Sequence, residues 1–386
     1  MKSIIDNYKI AFVGWNPFQL LHVKNLLLSM PNSVFIIEKR RDSNVQFFSD
    51  NLLDDIKSQI VILEQKNMIS LDEGYDIIIT QTLFRDIHKI KKAKIVMLQY
   101  GYAKEPHNYG TWRAFASLCL TYGEYASQKI APLSPTVATG NPRYDLWHDS
   151  SFQQKAKERY QNYINPNKKT ILYMPTWGEL SSFDLYIDAI VALGDSYNIL
   201  IKLHHNTDYL ELSKVSKIKS KNLNYFGAND DSLELISLAN IVISDYSGAI
   251  FDAIYCRKSV VLLDLPKERL LKSKKIDAYS LEFTNRDSLG VRVASANELA
   301  STVKNLKAKE SVLTNRLFVQ TDNAVENIHT ALIDLMEGRY QRSQTQQYIY
   351  QSMVELHSKK SLRERFRRVA IDVYLTILSW RRRDAK

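Results

Sequence analysis

The most constraining feature of this sequence is a repeated alternation of short apolar, β-branched runs with longer helical stretches. In the first part of the chain these runs are KIAFVGW, SVFIIEK, QIVILEQ, DIIIT, KIVMLQY and SLCLTYG. Such runs do not alternate between apolar and polar residues, which is typical of strands buried on both faces of a parallel sheet. The pattern therefore predicts a doubly wound α/β domain with helices on both faces of its sheet.

The same pattern starts again after a polar, charged helical stretch at 150–169. The second series of runs reads TILYMPTW, YNILIKLHH, LNYFG, ANIVISDYS, SVVLLD and VRVAS. With 386 residues the chain also exceeds the size of one typical core. We therefore predict two Rossmann-like α/β domains, at 1–150 and 165–338, with a hinge near 145–168 and a ligand-binding cleft between them.

Residues 339–386 are predicted to form a helical tail that becomes basic and amphipathic from residue 359. Its apolar residues recur every three or four positions, which makes one stripe along a helix: Leu362, Phe366, Val369, Val373, Ile377 and Trp380. Arginines flank the stripe at 363–368 and 381–383. We expect this helix to lie in the headgroup layer of an anionic membrane. Packing against its own domain is the alternative, whereas a nucleic-acid arm would leave the apolar stripe without a role.

Composition argues against several other classes of protein. The two cysteines, Cys119 and Cys256, are not in a paired spacing and the N-terminal segment lacks the apolar run of a secretory signal, so we expect a cytoplasmic protein. No stretch approaches the roughly 20 apolar residues that cross a bilayer. The net charge of +10 is concentrated in the tail rather than in a basic, aromatic stripe, which argues against nucleic-acid binding. There is no HxxxH or carboxylate cluster, so neither a metal nor another cofactor is expected.

The segment VISDYSGAIFDAIYC carries a concentration of polar residues where a buried strand turns into a helix. Ser244 and Asp245 stand at the end of the strand, and Ser247 and Gly248 lead into the helix. Free backbone N–H groups at a helix start, with a hydroxyl beside them and a glycine that admits a ligand, form an anion site. The turn is therefore predicted to hold a phosphate. The alternative is that Asp245 or Ser247 only caps the helix.

Two further strands of the second domain end in polar loops. The run ILIK is followed by LHHNT, which sets Lys202, His204 and His205 at the end of a strand, and TILYM is followed by a loop that contains Thr176. Imidazole exchanges protons near neutral pH, so the paired histidines are candidates for catalysis rather than ordinary surface or core residues. All three loops are predicted to meet at one edge of the sheet.

The first domain has two candidate loops of its own. GWNPFQLLH, which begins at Gly14 and includes Asn16, is a strand-to-helix turn but lacks the later glycines of a dinucleotide fingerprint. The loop LQYGYAKEPHNYGTW, at 98–112, is either an ordinary surface loop or an acceptor site, and its position after a buried strand favours the acceptor site. Its polar residues and glycine are Gln99, Gly101, Lys104, Glu105, His107 and Asn108.

Several of these motifs together resemble one family. ILYMPTW, ILIKLHHN and DDSLELISLANIVISDYSGAIFDAIYCRKSVVLLD resemble the CDP-glycerol glycerophosphotransferases, whose members make poly(glycerol phosphate) or poly(ribitol phosphate) chains of teichoic acids. GNPRYDLW, at 140–147, is similar to the family's glycine-x-proline-arginine-x-aspartate segment. The resemblance covers about 95–265 and implies the GT-B arrangement of two Rossmann-like domains. It also implies peripheral membrane association and lipid-linked acceptors, which suits the basic tail.

The resemblance implies roles for individual residues. His204 would lie near the donor pyrophosphate, Ser244, Asp245, Ser247 and Asp252 would hold the donor's phosphates and polyol, and Thr176 falls in the family's proline-threonine-tryptophan segment. Their positions at strand ends add Lys202, His205 and Gly248 to the predicted donor side. The predicted acceptor-binding residues are Asn16, Gln99 and Lys104 of the first-domain loops and Arg143 of the GNPRYDLW segment. The sequence departs from the family at Tyr100, where members usually carry the histidine expected to act as base. Glu105 or His107 would take over this role, the base would lie elsewhere, or another group would be transferred.

We therefore predict a transferase that moves a polyol phosphate, glycerol phosphate or ribitol phosphate, from a CDP-linked donor to a hydroxyl of a surface polysaccharide or lipid-linked acceptor. CMP would leave, and Lys202, His204 and the N–H groups after Ser247 would stabilise the developing charge. One alternative is a GT-B glycosyltransferase that uses a nucleotide-sugar donor in capsule or lipopolysaccharide synthesis. Another is a catalytically silent, membrane-docked subunit of a polysaccharide-export complex.

Overall fold

The computed structural model describes residues 4–221, 223–273, 277, 279–307 and 311–360. In this part of the chain the strands form two sheets in which all neighbouring strands are parallel. The first sheet has seven strands in the order β3-β2-β1-β4-β5-β6-β7; these are β1 Ile10–Gly14, β2 Val34–Lys39, β3 Ile60–Glu64, β4 Ile77–Thr80, β5 Lys94–Leu98, β6 Leu118–Thr121 and β7 Thr136–Ala138. The second has six in the order β10-β9-β8-β11-β12-β13; these are β8 Lys169–Met174, β9 Tyr197–Lys202, β10 Tyr225–Phe226, β11 Ile241–Ser244, β12 Ser259–Leu263 and β13 Val291–Val293.

Helices and short helical turns connect the strands, as the doubly wound pattern predicts. The α-helices are α1 Pro17–Leu28, α2 Asp50–Leu53, α3 Leu71–Gly74, α4 Glu105–Asn108, α5 Glu124–Ile130, α6 Ser150–Tyr160, α7 Phe183–Ala192, α8 His205–Leu210, α9 Leu212–Ser220, α10 Ser232–Leu238, α11 Ala249–Tyr255, α12 Lys267–Lys272, α13 Leu281–Thr284, α14 Arg286–Leu289, α15 Leu299–Lys304, α16 Thr314–Leu317 and α17 Ala324–Met336. Residues 344–360 form a further helix. None of the helices in the described ranges is both long and apolar enough to span a bilayer.

Each sheet reverses its strand order at one point, between β1 and β4 in the first and between β8 and β11 in the second. At such a point the loops leave the sheet in opposite directions and open a crevice beyond the carboxyl ends of the strands. In the second sheet, this crevice is bordered by the loop after Met174 and the turn after Ser244, whose strands pair in register. The topology alone therefore brings two of the predicted polar loops together.

An aromatic core joins the two domains. Tyr102, Tyr122 and Tyr144 of the first domain are buried in one cluster with residues of α11 and with Phe318. The rings of Tyr144 and Tyr255 stack with their centroids 3.8 Å apart. A Cβ on Gly123 would lie only 2.1 Å from the backbone oxygen of Leu317, so this interface requires glycine at that position. The two domains thus share a packed, apolar contact behind the cleft.

The chain returns to the first domain before it reaches the tail. Helix α17 lies within the range predicted for the second domain, 165–338, but its buried residues belong to the first domain's core: Ile328, Ala331, Leu332 and Leu335. The carboxylate of Asp145 accepts from the N–H groups of Ala324 and Val325 at 2.9 and 2.8 Å and so caps its start. Helix 344–360 also packs on the first domain, through Tyr350, Met353 and Val354. Most of the predicted membrane-binding segment, 361–386, lies outside the described residues.

Candidate functional site

A cavity lies between the carboxyl ends of the two sheets. Its walls come from both domains: α1 and the loop after β5 on one side, and the loops after β8, β9 and β11 on the other. Nine of the residues predicted from sequence line it: Lys104, His107, Thr176, Lys202, His204, His205, Ser247, Gly248 and Asp252. A concave site between two domains is a usual place for a small-molecule ligand.

The turn after β11 is held from inside by its first two polar residues. Asp245 is fully buried, and its carboxylate accepts from the Thr176 N–H at 2.8 Å and from both the N–H and the hydroxyl of Ser182 at 2.8 Å. The Ser244 hydroxyl donates to the Met174 carbonyl at 2.6 Å. Neither side chain lines the cavity. Instead of contacting a ligand, as the sequence predicted, both fix the loop after β8 against the turn.

The residues that follow form the floor of the cavity. Ser247 and Gly248 lie opposite the first domain, and a Cβ on Gly248 would be 3.8 Å from the Cβ of Ala103. The Ser247 hydroxyl accepts weakly from the Ala249 N–H at 3.3 Å, so the capping alternative also has support. Asp252 stands one turn further along α11 and accepts a hydrogen bond from the Tyr144 hydroxyl at 2.5 Å. Burial raises the pKa of Asp252, and the nearby Arg143 opposes this shift.

The paired histidines stand at the end of β9 in a line of aromatic rings. His204 caps α8, and its Nδ1 accepts from the Asn206 N–H at 3.1 Å. Its ring stacks on His205 at 4.1 Å, and His205 stacks on Phe18 of the first domain at 5.9 Å. Burial, together with Lys202 and Lys104, lowers the pKa of His205 to about 4. His205 is therefore a neutral ring at pH 7.

Lys202 adds positive charge beside these rings. Its Nζ donates to the Gly227 carbonyl at 2.6 Å and to the Leu203 carbonyl at 3.2 Å, so the ammonium group is held in place by backbone oxygens. An ammonium group positioned in this way presents its charge to the cavity at a defined point, which suits an anionic ligand.

The loop after β5 is hydrogen-bonded to the second domain. Lys104 has a left-handed backbone, with φ at 59°, and its N–H donates to the Glu282 carboxylate at 2.7 Å. The next N–H, of Glu105, donates to the Ser280 hydroxyl at 2.8 Å. Burial raises the pKa of Glu282 to about 7. These bonds hold a non-glycine residue in a conformation that costs energy, as is common at functional sites.

The two bases predicted in this loop differ in position. His107 lines the cavity, and burial, Lys104 and Arg113 lower its pKa, so its imidazole is neutral at pH 7. Glu105 is buried away from the cavity, where its carboxylate accepts from the Tyr125 hydroxyl at 2.6 Å and pairs with Lys129 at 3.2 Å. The geometry therefore favours His107 over Glu105 for contact with a substrate.

Three of the four residues predicted to bind the acceptor do not line the cavity and make hydrogen bonds within the protein. Asn16 caps α1 by accepting from the Gln19 N–H at 2.9 Å. Gln99 is fully buried; its Nε2 donates to the Gly101 carbonyl at 3.1 Å and its Oε1 accepts from the Tyr122 N–H at 2.8 Å. Arg143 is buried between the domains, where it pairs with Asp231 and donates to Ser232. Lys104 alone of this set lines the cavity.

Sequence reasoning missed the aromatic part of the first-domain wall. Phe18 and His22 stand four residues apart on α1, which places them on one face of the helix, and both line the cavity beside Tyr100. Their ring centroids are 4.1 Å apart, and the His22 and Tyr100 rings are 6.3 Å apart. This i, i+4 spacing within GWNPFQLLH was the available signal.

Within residues 4–360, apart from the few positions not described, no group of three or more histidine, cysteine, aspartate or glutamate side chains stands close enough together to hold a metal ion. The absence of a bound metal therefore stays a prediction.

Curated relatives of this chain are found among bacterial polymerases. The teichoic acid poly(glycerol phosphate) polymerase of Bacillus spizizenii is 31% identical over 130 residues, which are 30% of this chain and 32% of the relative. The protein of the same name from Bacillus subtilis is 24% identical over 188 residues, or 45% of this chain and 24% of the relative. The matched part of this chain thus spans a third or less of either relative.

Solved structures share the two-domain fold. A variant of the wall teichoic acid polymerase TagF soaked with CDPG superposes with a TM-score of 0.62 at 16% identity, covering 87% of this chain and 92% of that one. The UDP-GlcNAc 2-epimerase of Methanocaldococcus jannaschii, in complex with UDP-GlcNAc and UDP, gives 0.59 at 12% identity, covering 84% and 99%. At this level of identity the likeness establishes the fold, and it confirms the predicted GT-B arrangement.

The sequence itself matches the CDP-glycerol:poly(glycerophosphate) glycerophosphotransferases over residues 24–326. The chain belongs to this family.

Proposed function

We propose that this protein transfers glycerol phosphate from CDP-glycerol to a hydroxyl group of a teichoic acid-type acceptor and releases CMP. The observation that carries the proposal is the convergence of His204, Lys202 and Ser247 on one interdomain cavity in a chain of this family. Lys202 and His204 come from the end of β9 and Ser247 from the turn after β11, so the folded sheet is needed to bring them together.

The second domain forms the donor side of the proposed site. Ser247, Gly248 and Thr176 line the cavity where the second sheet reverses its strand order, the usual place for a nucleotide in such folds. Lys202 brings a positive charge to the same wall, which suits a diphosphate. Asp245 and Ser244 support these residues by holding their loops.

The proposed reaction is an in-line displacement at the phosphorus that carries the glycerol. The acceptor oxygen forms a new P–O bond, the bond to the CMP phosphate breaks, and CMP leaves with the bonding electron pair. Positioning and neutralisation of charge dominate such reactions. His204 and Lys202 are proposed to stabilise the charge that develops on the phosphate and on the leaving CMP.

The proton of the acceptor hydroxyl also needs a destination. We assign it to His107, because this imidazole lines the cavity and is neutral at pH 7. The Tyr100 hydroxyl cannot accept this proton, because burial raises its pKa further above the ordinary value and it stays protonated at pH 7. Lys104, beside His107, is proposed to contact the acceptor.

The proposal includes a membrane site and the absence of a bound metal. Residues 359–386 are proposed to attach the enzyme to the anionic inner face of the cell membrane, where a lipid-linked acceptor would be within reach. No protein-bound metal is proposed, because the sequence lacks ligand spacing for one. Unchanged CMP release in a chelator is the expected result, and a loss that added Mg²⁺ restores would refute this part.

The leaving nucleotide tests the reaction class. Wild-type protein supplied with CDP-glycerol and an acceptor that ends in glycerol phosphate should release CMP, and CDP-ribitol should react more slowly. The glycosyltransferase alternative predicts a nucleoside diphosphate from sugar donors instead, and the family match does not favour it. A silent assembly subunit would show no thermal shift with any of these donors. Release of UDP from a UDP-sugar, without CMP release from CDP-glycerol, would refute the proposal.

A further inference from the structure

His22 is a buried histidine of the first domain that the proposed mechanism above does not use. It lies on α1, lines the cavity and is 4% exposed. The adjacent Phe18 ring is 4.1 Å from His22 and 5.9 Å from His205, so one phenyl ring separates His22 from the donor-side histidines. It therefore stands between the two halves of the site.

The surroundings of His22 determine which ring nitrogen carries the proton. The side-chain nitrogen of Gln81 lies 3.2 Å from the Gln99 carbonyl oxygen, which can only accept, and 3.3 Å from Nδ1 of His22. Gln81 thus donates in both directions, and Nδ1 accepts. The Tyr122 hydroxyl, 3.4 Å from Nδ1, can donate to the same nitrogen. A neutral His22 ring consequently carries its proton on Nε2.

The Nε2 of His22 has no hydrogen-bond partner among the described residues. A buried donor without an acceptor costs about 1–3 kcal/mol, so such groups are rare unless a ligand or water completes them. Burial, and to a smaller degree Arg143, lower the pKa of His22 well below its ordinary value. The ring is therefore a neutral donor at pH 7.

We propose that His22 is a catalytic residue that donates a hydrogen bond from Nε2 to a non-bridging oxygen of the phosphate being transferred. This inference rests on the proposed function and adds a first-domain donor to it. Charge accumulates on the equatorial oxygens of a phosphoryl group during transfer, and a preorganised donor in a closed site stabilises it. No proton is transferred by His22, because Nε2 keeps its hydrogen throughout. His22 also stands next to Tyr100, the position where a histidine was expected from the family resemblance.

Three substitutions at His22 distinguish a donor from a structural residue or a base. His22→Leu removes both nitrogens and should lower kcat by about 10²–10³-fold, the cost of losing one such donor. The affinity for CDP-glycerol should change by less than about threefold, because the bond strengthens in the transition state. His22→Gln places an amide nitrogen near the position of Nε2, whereas His22→Asn places one near Nδ1. We expect the kcat of His22→Gln to be at least about tenfold higher than that of His22→Asn.

A matched control is available in the same domain. His88 is also buried, with an Nε2 that has no partner in the described structure, but it does not line the cavity. His88→Leu should leave kcat within about twofold of wild type, because a residue remote from the cavity contributes no transition-state bond.

The outcomes separate this inference from the proposed function. If wild type releases CMP and the kcat of His22→Leu lies within threefold of the wild-type value, the role of His22 is refuted and the proposed function still stands. Equal rates for the Gln and Asn variants would also refute it, and this comparison does not depend on whether His22→Leu folds. A wild type that releases no CMP from CDP-glycerol would refute the proposed function and, with it, this inference.

Discussion

The buried contact between Arg143 and Asp231 gives a quantitative test of how the two domains are joined. Arg143 is 1% exposed, pairs with Asp231 across the interface, donates to the Ser232 hydroxyl at 3.1 Å and lies 4.0 Å from the Asp252 carboxylate. Methionine at position 143 keeps much of the side-chain volume but removes the charge, which leaves the carboxylates of Asp231 and Asp252 without their cation. Removing one partner of a buried pair costs about 3–5 kcal/mol.

This cost translates into a measurable shift in melting temperature. With an unfolding entropy of about 2.1 cal/mol/K per residue, a chain of 386 residues has roughly 0.8 kcal/mol/K. Arg143→Met should therefore lower Tm by about 4–6 °C in a calorimetric scan. Asp231→Asn should cost a similar amount although asparagine still caps α10, where Asp231 accepts from the Leu233 N–H at 2.7 Å.

The double variant identifies the pair itself. If the two side chains act together, Arg143→Met with Asp231→Asn should cost at least about 2 kcal/mol less than the sum of the single losses. Arg159→Met is the matched control, because its pair with Glu234 at 3.1 Å is half exposed and is expected to contribute less than about 1 kcal/mol. Additive losses, or a wild-type Tm for Arg143→Met with a raised KM for the acceptor, would refute this account and support the acceptor role predicted from sequence.

Three further predictions concern the site and the tail. His204→Ala should lower turnover by about 10²–10⁴-fold, and His204→Asn should restore the cap of α8 and the Tm but not the activity; wild-type turnover in either would exclude His204. Because the folded pKa of His205 is lowered to about 4, the unfolded chain binds more protons between pH 6.5 and 4, and stability is lost as the pH falls through this window. Between pH 6.5 and pH 4.5, the free energy of unfolding measured in urea should fall by about 1–2 kcal/mol less for His205→Asn than for wild type. Equal falls in the two proteins would contradict this. Glutamine at the four arginines of 363–368 should weaken binding to anionic vesicles by about 1 kcal/mol per charge, and unchanged sedimentation with vesicles would show that the tail packs elsewhere.

The fold was predictable because its central strands are buried on both faces. The strand Ile77–Thr80 is buried along its whole length, and its run of three isoleucines marks it without any knowledge of its partners. The return of α17 to the first domain was not predictable in the same way. Its apolar stripe fits either core, and the folded chain shows which one it joins through the packing of Ile328 and Leu332 in the first domain's core and the Asp145 cap at its start.

The candidate site was predictable by position but not by side-chain direction. Residues at the carboxyl ends of strands, such as Thr176, His204 and Ser247, did reach the cavity. Ser244, Asp245 and Gln99 stand at equivalent positions, yet their polar atoms bond within the protein. A polar residue that holds a loop and one that contacts a ligand have the same composition, and the partner, which is distant in sequence, decides between them.

His22 illustrates the opposite case. The i, i+4 spacing from Phe18 indicates only a shared helix face, and the partners of His22, Gln81 and Tyr122, are 59 and 100 residues away. Only the folded chain shows that one of its nitrogens is satisfied and that the other has no partner in the described structure.

A crystal structure with CDP-glycerol bound tests the central claim most directly. The account predicts that the diphosphate lies in the interdomain cavity, within hydrogen-bond distance of Lys202, His204 and the turn at Ser247. A nucleotide bound outside this cavity, with these residues in contact only with the protein, would contradict it.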